Sequence, residues 1–212
     1  MYQGIIFDLD GTLISTVEDV EATTNRMLAR MGYRTVSREV VLKNISFTTP
    51  DYLRGVLPEE AHTEAALAEA ERIYDEEYAV QYKVFSHPFE GLYEVVEQLK
   101  ERGVKLAVLS NKYHPYTVAL IEKLYPAGAF THVWGLQECY PKKPDPTSAL
   151  AIAADWGVRP ADIAFVGDSI IDVRTAVAAG MHAVAVSWGY GDHADMTAAG
   201  AERVIDNPEQ LL

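Results

Sequence analysis

The pattern that most restricts the fold of this chain is an alternation of short apolar runs with amphipathic helical segments. The first apolar run, residues 4–9, leads into Asp10-Gly11-Thr12, which is typical of a buried strand that ends in a loop. Five later runs have the same character: Val104–Leu109, His132–Gly135, Ile163–Val166, Ala183–Ser187 and Arg203–Ile205. Strands that alternate with helices predict an α/β fold with a Rossmann-like parallel sheet and helices on both of its faces.

A block with helical patterning separates the first predicted strand from the others. Three positions in it carry helix-start signals: Ser15, Ser37 and Thr49. Ser15 and Glu18 have the spacing of a capping box, which predicts that the first helix begins there. We therefore predict a Rossmann-like core made of residues 1–14 and 83–212, with a small helical cap inserted as residues 15–82.

Charge and cysteine content limit the classes of partner and the location. The formal net charge is −13 and the sequence pI is about 4.8, so the field of the protein repels polyanions such as nucleic acids and anionic membranes. Cys139 is the one cysteine, which excludes an intramolecular disulfide and is typical of a reducing compartment. No basic segment with a long apolar run opens the sequence. We expect a cytoplasmic protein, and the oligomeric state stays open.

Reactive side chains follow the predicted strands, at the edge where open parallel sheets bind ligands. Asp8 lies at the end of the first predicted strand, and Asp10 follows it. The others, in the later loops, are Ser110, Asn111, Lys143, Asp168 and Asp172. Carboxylates without histidine partners favour Mg²⁺ over zinc, and a lysine supplies a second positive charge for an anionic substrate. A carboxylate in such a site can act as a nucleophile on phosphorus, so the pattern predicts phosphoryl transfer.

In order and spacing, these residues resemble the four motifs of the haloacid dehalogenase superfamily in its phosphatase branch. Residues 8–12 (Asp-Leu-Asp-Gly-Thr) look like the first motif and residues 110–112 (Ser-Asn-Lys) like the second. Lys143-Pro144 looks like the third, and Gly167-Asp168 with Asp172 like the fourth. The resemblance covers nearly the whole chain, and the helical block is similar to the small helical cap of that family.

The resemblance implies roles for the residues of the first two motifs. Asp8 would be the nucleophile and a magnesium ligand. Asp10 would protonate the leaving group and then deprotonate water, with its backbone carbonyl on the metal. Thr12 and Ser110 would hold the transferred phosphoryl group, helped by backbone N–H groups such as that of Asn111.

The same resemblance implies roles for the third and fourth motifs. Lys143 would bridge Asp8 and the phosphate, and we prefer it to Lys142 because the lysine of the family directly precedes proline. Asp168 would bind magnesium, and Asp172 would support the metal directly or through water. Apart from the resemblance, an aspartate such as Asp172 can also be a helix cap or a turn residue.

Within the superfamily, residues 110–112 and 186–191 look most like phosphoglycolate phosphatases, which makes phosphoglycolate the leading substrate among small phosphate monoesters. Haloacid dehalogenases lack the acid–base aspartate at the position of Asp10, so dehalogenation is disfavoured. Two alternatives stay open: a sugar-phosphate mutase similar to β-phosphoglucomutase, and a non-catalytic protein that binds a phosphorylated ligand. Residues 43–48 form a candidate substrate-facing loop.

Overall fold

The computed structural model describes residues 2–45 and 49–212, so part of the candidate loop 43–48 lies outside the described residues. Contacts divide the chain into two compact units. The first contains the residues up to Ser15 together with His87–Leu212, and the second contains Thr16–Ser86. A role of the second unit as a cap remains a prediction.

Eight strands and nine α-helices are assigned among the described residues. The strands are β1 (Gly4–Phe7), β2 (Ile14–Ser15), β3 (His87–Pro88), β4 (Lys105–Tyr113), β5 (His132–Leu136), β6 (Ile163–Gly167), β7 (His182–Val186) and β8 (Arg203–Ile205). The helices are α1 (Val17–Arg30), α2 (Arg38–Asn44), α3 (Thr49–Val56), α4 (Glu64–Gln81), α5 (Leu92–Glu101), α6 (His114–Leu124), α7 (Thr147–Trp156), α8 (Ile170–Ala179) and α9 (His193–Ala198). Short 3₁₀ helices cover Glu59–Ala61, Pro160–Asp162 and Pro208–Leu211.

The first unit is built on a six-stranded sheet with the order β5-β4-β1-β6-β7-β8, and every pairing in it is parallel. The predicted α/β class is therefore confirmed. β1 lies in the middle, and its residues Ile5, Ile6 and Phe7 are fully buried. A strand with both faces covered needs a continuous apolar run, which explains why this segment does not alternate with polar residues.

Helices α7 and α8 pack on the sheet through a shared apolar core. Ile152 and Trp156 of α7 and Val173 of α8 join Ile6 and Phe165 of the strands in one buried cluster. Burial of such side chains stabilises the fold by roughly 1.5–3 kcal/mol each, so this cluster holds the strands in register. That register decides which residues emerge together at the carboxyl edge of the sheet.

The second unit consists of α1 to α4 and a short 3₁₀ helix, with no strand among its described residues. α1 and α4 each bury one side of the helix. The Thr24 hydroxyl of α1 also lies 2.5 Å from the Tyr52 hydroxyl of α3. The carboxylate of Asp19 in α1 is fully buried. It accepts hydrogen bonds from the Gln81 amide, from the backbone N–H groups of Phe85 and Ser86, and from the Ser86 hydroxyl.

The first helix begins slightly later than its capping signal predicted. Ser15 is held extended in β2, where it pairs with His87 of β3. The helix begins at Val17, and Thr16 precedes it without a side-chain capping bond. The antiparallel pairing with a residue far along the chain therefore ends just before the helix starts.

Two further differences concern element ends. The fourth strand runs to Tyr113 instead of ending at Leu109, and its register against β5 shifts between these two residues. Helix α9 was not predicted, because six residues are too few for a helical period to be visible. Asp192 caps this helix by accepting hydrogen bonds from two backbone N–H groups of its first turn. None of the helices described is both long and apolar enough for a membrane span.

Candidate active site

Three buried carboxylates meet at the carboxyl edge of the sheet. Asp8 directly follows β1 and Asp168 directly follows β6, and these strands are parallel neighbours. Asp172 lies in the first turn of α8. Asp8, Asp168 and Asp172 each offer an oxygen, and these oxygens lie within 4.8 Å of one another. Parallel pairing thus brings together side chains that are about 160 positions apart in the sequence.

A buried lysine joins two of these carboxylates. The Nζ atom of Lys143 lies 2.7 Å from Oδ1 of Asp8 and 2.6 Å from Oδ1 of Asp172. Only 4% of the Lys143 side chain is exposed, whereas Lys142 is an exposed residue. The structure therefore brings the lysine that precedes proline, and not its neighbour, to the carboxylates.

The Asn111 side chain positions this lysine through its backbone. Its amide nitrogen donates to the Lys143 carbonyl at 3.0 Å, and its Oδ1 accepts from the Lys143 N–H at 2.8 Å. This paired contact holds the loop after β5 against the end of β4. Asn111 was predicted to assist phosphate binding through its own N–H, and its clamp on Lys143 is an additional contact that only the tertiary structure reveals.

The carboxylate of Asp172 serves the helix and the site with different oxygens. Oδ2 accepts from the N–H and the hydroxyl of Ser169 at 3.1 and 2.6 Å, and the Ser169 hydroxyl accepts from the Asp172 N–H, which completes a capping box. Oδ1 faces Lys143. The capping and the functional interpretations of Asp172 are thus geometrically compatible, because a carboxylate has two oxygens to share.

Asp168 is enclosed by the loop that carries the first motif. The Thr12 hydroxyl, which is fully buried, donates to Oδ1 of Asp168 at 3.3 Å. Gly11 adopts a φ of +80°, and a Cβ atom there would lie 2.1 Å from Oδ2 of Asp168. Glycine is required at this position for both reasons. Thr12, predicted to hold the phosphoryl group, contacts a carboxylate in this structure.

The loop after β7 also supports Asp168, a role that the sequence interpretation missed. The N–H of Tyr190 donates to Oδ2 of Asp168 at 2.7 Å, and the Trp188 indole donates to the Thr12 carbonyl at 3.0 Å. A Cβ atom on Gly189 would lie 2.2 Å from the Cβ atom of Asp168. The run of glycine and aromatic residues at 188–191 was the available signal, because such a loop allows close approach of backbones.

We call the group formed by Asp8, Asp168 and Asp172 the carboxylate cluster. Asp10 and Ser110 do not belong to it, and both contact Lys112. Both oxygens of Asp10 contact the Lys112 ammonium, at 2.9 and 3.0 Å. The Ser110 hydroxyl is buried and accepts from the Lys112 N–H at 3.2 Å. The Asp10 side chain is not part of the cluster, and binding of a metal by its backbone carbonyl stays a prediction. Lys112 had no role assigned from the sequence.

A family model for haloacid dehalogenase-like hydrolases matches residues 5–186. The chain belongs to the haloacid dehalogenase-like hydrolase family. Its relatives include "Phosphoglycolate phosphatase 1" of Pseudomonas aeruginosa, which is 32% identical over 216 residues and aligns with 98% of this chain and 78% of its own. The family resemblance predicted from the motifs is therefore confirmed, and the chain is an enzyme similar to phosphoric monoester hydrolases.

Solved structures agree with this assignment of the fold. A protein of Lactobacillus delbrueckii subsp. bulgaricus, provisionally named a phosphoglycolate phosphatase, superposes with a TM-score of 0.90 at 26% identity, covering 99% of this chain and 96% of that one. CbbY of Rhodobacter sphaeroides, solved in complex with phosphate, superposes with a TM-score of 0.79 at 25% identity, covering 100% and 96%.

The electrostatics of this hydrolase indicate an excess of negative charge in the cluster. Burial raises the pKa of Asp8 to about 7 against the lowering effect of Lys143, and the charge of Asp172 adds to the rise. Burial and the charges of Asp8 and Asp172 raise the pKa of Asp168 well above its ordinary value. Burial disfavours the Lys143 ammonium, but its two carboxylate partners outweigh that effect and raise its pKa.

These residues fit a divalent cation. Their donors are hard carboxylate oxygens, close enough to share one ion, and a cation there would offset the burial and the mutual repulsion that raise the pKa values of Asp8 and Asp168. Among the acidic, histidine and cysteine side chains of the described residues, those of Asp8, Asp168 and Asp172 have a geometry that suits a shared metal ion.

Proposed function

We propose that this hydrolase is a magnesium-dependent phosphatase that acts on small organic phosphate monoesters through an aspartyl-phosphate on Asp8. The observation that carries the proposal is the Lys143 ammonium, buried and bonded to Asp8 within the carboxylate cluster. A buried nucleophile beside a fixed ammonium suits attack on an anionic phosphorus centre, where positioning and charge compensation supply most of the rate enhancement.

In the first step, an oxygen of the Asp8 carboxylate attacks phosphorus, and the ester P–O bond breaks with its electron pair going to the leaving oxygen. Asp10 donates a proton to that oxygen, so that the product leaves as a neutral alcohol. Asp10 follows Asp8 by two positions and is partly exposed, which suits Asp10 for contact with the leaving group. Asp8 is buried, which suits it for attack on phosphorus.

In the second step, water attacks the phosphorus of the aspartyl-phosphate. Asp10, now ionised, takes a proton from that water, and the Asp8–phosphorus bond breaks to release inorganic phosphate. Each residue returns to its starting protonation state, so the cycle balances. Ser110, buried in β4 next to β1, would contact the transferred group, with Thr12 as a second hydroxyl once its contact with Asp168 is broken.

Asp8, Asp168 and Asp172 would hold the magnesium ion. When bound, the ion supplies positive charge that offsets the negative charge of the phosphoryl group. The side chains of Asp168 and Asp172 are already oriented by contacts with Tyr190 and Ser169, so little ordering is needed on binding.

Phosphoglycolate is the leading substrate within this proposal. The Pseudomonas aeruginosa relative carries that activity in its name, and CbbY was solved with phosphate, which supports a phosphorylated small molecule as the ligand class. The acidic field of the whole chain makes a polyanionic partner unfavourable. A cytoplasmic location remains our expectation from the lone cysteine.

A phosphate-release screen tests the proposal. Purified protein is incubated with a panel of small phosphorylated metabolites, including phosphoglycolate and several sugar phosphates, with magnesium or with EDTA. We expect release that requires magnesium and is lost in the Asp8→Asn variant. Trapping with acid should recover a phosphorylated wild-type protein and none from the variant.

Two results would reject the proposal in different ways. Isomerised sugar phosphate without net phosphate release would identify a mutase. Binding of phosphorylated ligands without turnover, across the panel and with magnesium present, would identify a non-catalytic binding protein.

A further inference from the structure

Lys112 contacts the carboxylate that we propose as the proton donor. One ammonium reaches both oxygens of Asp10, at 2.9 and 3.0 Å, and only 10% of the Lys112 side chain is exposed. Rotation of the Asp10 side chain would lengthen at least one of these contacts. The lysine therefore restricts the direction in which a partly exposed carboxylate points.

The backbone of Lys112 is itself fixed from three sides. Its N–H donates to the Ser110 hydroxyl at 3.2 Å, and its carbonyl accepts from the Thr117 hydroxyl of α6 at 3.2 Å. In β5, a Cβ atom on Gly135 would lie 2.5 Å from the same carbonyl, so that strand approaches as closely as glycine allows. The ammonium thus extends from an anchored point and not from a mobile loop.

We propose that Lys112 is a positioning residue for the protonation of the leaving group. It does not react with the substrate. In the reacting form, one Asp10 oxygen keeps its contact with the ammonium and the other carries the proton. That proton passes to the ester oxygen as the bond from that oxygen to phosphorus breaks and the bond from Asp8 to phosphorus forms. The inference rests on the proposed function, because it concerns the first step of that reaction. Orientation of a reacting group contributes strongly to rate when several rotamers are otherwise accessible.

A comparison of two phosphate esters with different leaving groups distinguishes a role of Lys112 in leaving-group protonation from a purely structural role. Ethyl phosphate releases a strongly basic alkoxide that needs a proton, whereas p-nitrophenyl phosphate releases a stabilised phenolate that does not. The value of kcat/KM reports only the steps up to departure of the leaving group, so the later hydrolysis does not enter. In Lys112→Met we expect kcat/KM to fall by about 10²-fold on ethyl phosphate and by about threefold or less on p-nitrophenyl phosphate.

Three further variants complete the test. Lys112→Arg retains a cation that can hold Asp10 and should recover most of the activity on ethyl phosphate. Lys100→Met makes the same exchange at an exposed position of α5 and should leave both esters unaffected. Gly135→Ala places a methyl group within 2.6 Å of the Lys112 carbonyl, the Thr117 hydroxyl and the His114 Cα atom, so the end of β4 must shift. Where this variant folds, it should give a weaker loss with the same selectivity for ethyl phosphate. If thermal unfolding shows that Lys112→Met does not fold, the activities of Lys112→Arg and Gly135→Ala on the two esters test the proposal instead.

The remaining outcomes overturn the proposal. Equal losses on both esters would assign Lys112 a purely structural role. A raised KM for phosphoglycolate with unchanged kinetics on ethyl phosphate would make it a ligand for the substrate carboxylate. A wild-type protein that hydrolyses no ester would reject the proposed function itself, which is a different result from an active wild type with an unselective Lys112→Met variant.

Discussion

The two units of this protein bury carboxylates in opposite ways. In the second unit, Asp19 is fully buried and is surrounded by neutral hydrogen-bond donors, including the Gln81 amide and the Ser86 hydroxyl. In the first unit, Asp8 and Asp172 share the Lys143 ammonium, and a third carboxylate lies close enough to share an ion with them. Both arrangements remove carboxylates from water. Hydrogen bonds from neutral groups compensate the buried charge of Asp19, whereas one ammonium does not compensate all three carboxylates of the cluster.

This difference separates a structural carboxylate from a functional group. Several hydrogen bonds from neutral donors compensate the loss of hydration at Asp19, and its place in the first turn of α1 adds a favourable helix dipole. The carboxylate cluster instead combines three buried carboxylates with one ammonium, and burial together with mutual repulsion raises the pKa values of Asp8 and Asp168. Sites that keep unfavourable charge in the empty state are typical of ion binding and catalysis, where stability is lower than it could be.

The largest expected effect is on turnover and tests the functional side of the comparison. Asp8→Asn should lower kcat by at least about 10⁴-fold, since an amide cannot form the phosphoryl-enzyme bond. Its thermal unfolding temperature without magnesium should not fall, because one of the repelling charges has been removed. Steady-state phosphate release and calorimetry measure the two quantities, and residual activity above about 1% would contradict the assignment of the nucleophile.

The next effect is on stability and tests the structural side. Asp19→Asn should lower the free energy of unfolding by about 3 kcal/mol, because an NH₂ group would face the N–H and O–H donors that now point at a carboxylate. Denaturant titration followed by far-ultraviolet circular dichroism measures the change. Glu71→Gln, at an exposed position of α4, is the control and should lie within about 0.5 kcal/mol of the wild type.

A smaller effect of opposite sign sharpens the contrast. With EDTA present, Asp168→Asn should stabilise the protein by about 1 kcal/mol, since it removes a buried charge that also repels Asp8 and Asp172. The amide oxygen can keep the Tyr190 N–H, and the Thr12 hydroxyl can turn to accept from the amide nitrogen. Magnesium should raise the unfolding temperature of the wild type but not of this variant. If Asp168→Asn destabilised the metal-free protein as Asp19→Asn is expected to, the two kinds of carboxylate would not differ as we describe.

The smallest effect comes from a solvated pair in the first unit. The ring nitrogens of His182 lie 2.7 Å from a Glu202 oxygen and 3.0 Å from the Ala161 carbonyl, and the hydrogen bond to Glu202 is the main cause of its raised pKa. Because the pKa of His182 is higher in the folded than in the unfolded protein, its contact with Glu202 stabilises the fold fully at pH values below the pKa of the unfolded state. This stabilisation is lost as the pH rises through the pKa of the folded state. Solvent screening limits it to about 0.5 kcal/mol.

A comparison of unfolding at pH 5.5 and pH 8.5 measures this contribution, after correction with a Glu202→Gln variant that lacks the carboxylate. The wild type should lose up to about 0.5 kcal/mol relative to the variant at the higher pH. A loss of several kcal/mol would show that a surface pair can match the buried groups.

Local sequence signals determined the class of fold and the composition of the candidate site. Apolar runs that end in Asp, Ser or Gly predicted a parallel sheet with reactive loops at one edge, because strand periodicity and loop residues are read within a few positions of each other. The parallel pairing of β1 with β6 then brings Asp8 near Asp168.

Tertiary structure alone decided the partners of the charged groups. Asp10 meets Lys112 across 102 positions, and Asp19 meets Gln81 across 62, so no local pattern connects them. The same holds for Ser15, which pairs with His87 across 72 positions. The physical reason is that hydrophobic periodicity is a property of one segment, whereas the compensation of a buried charge depends on which distant segments the packed core brings within hydrogen-bonding distance.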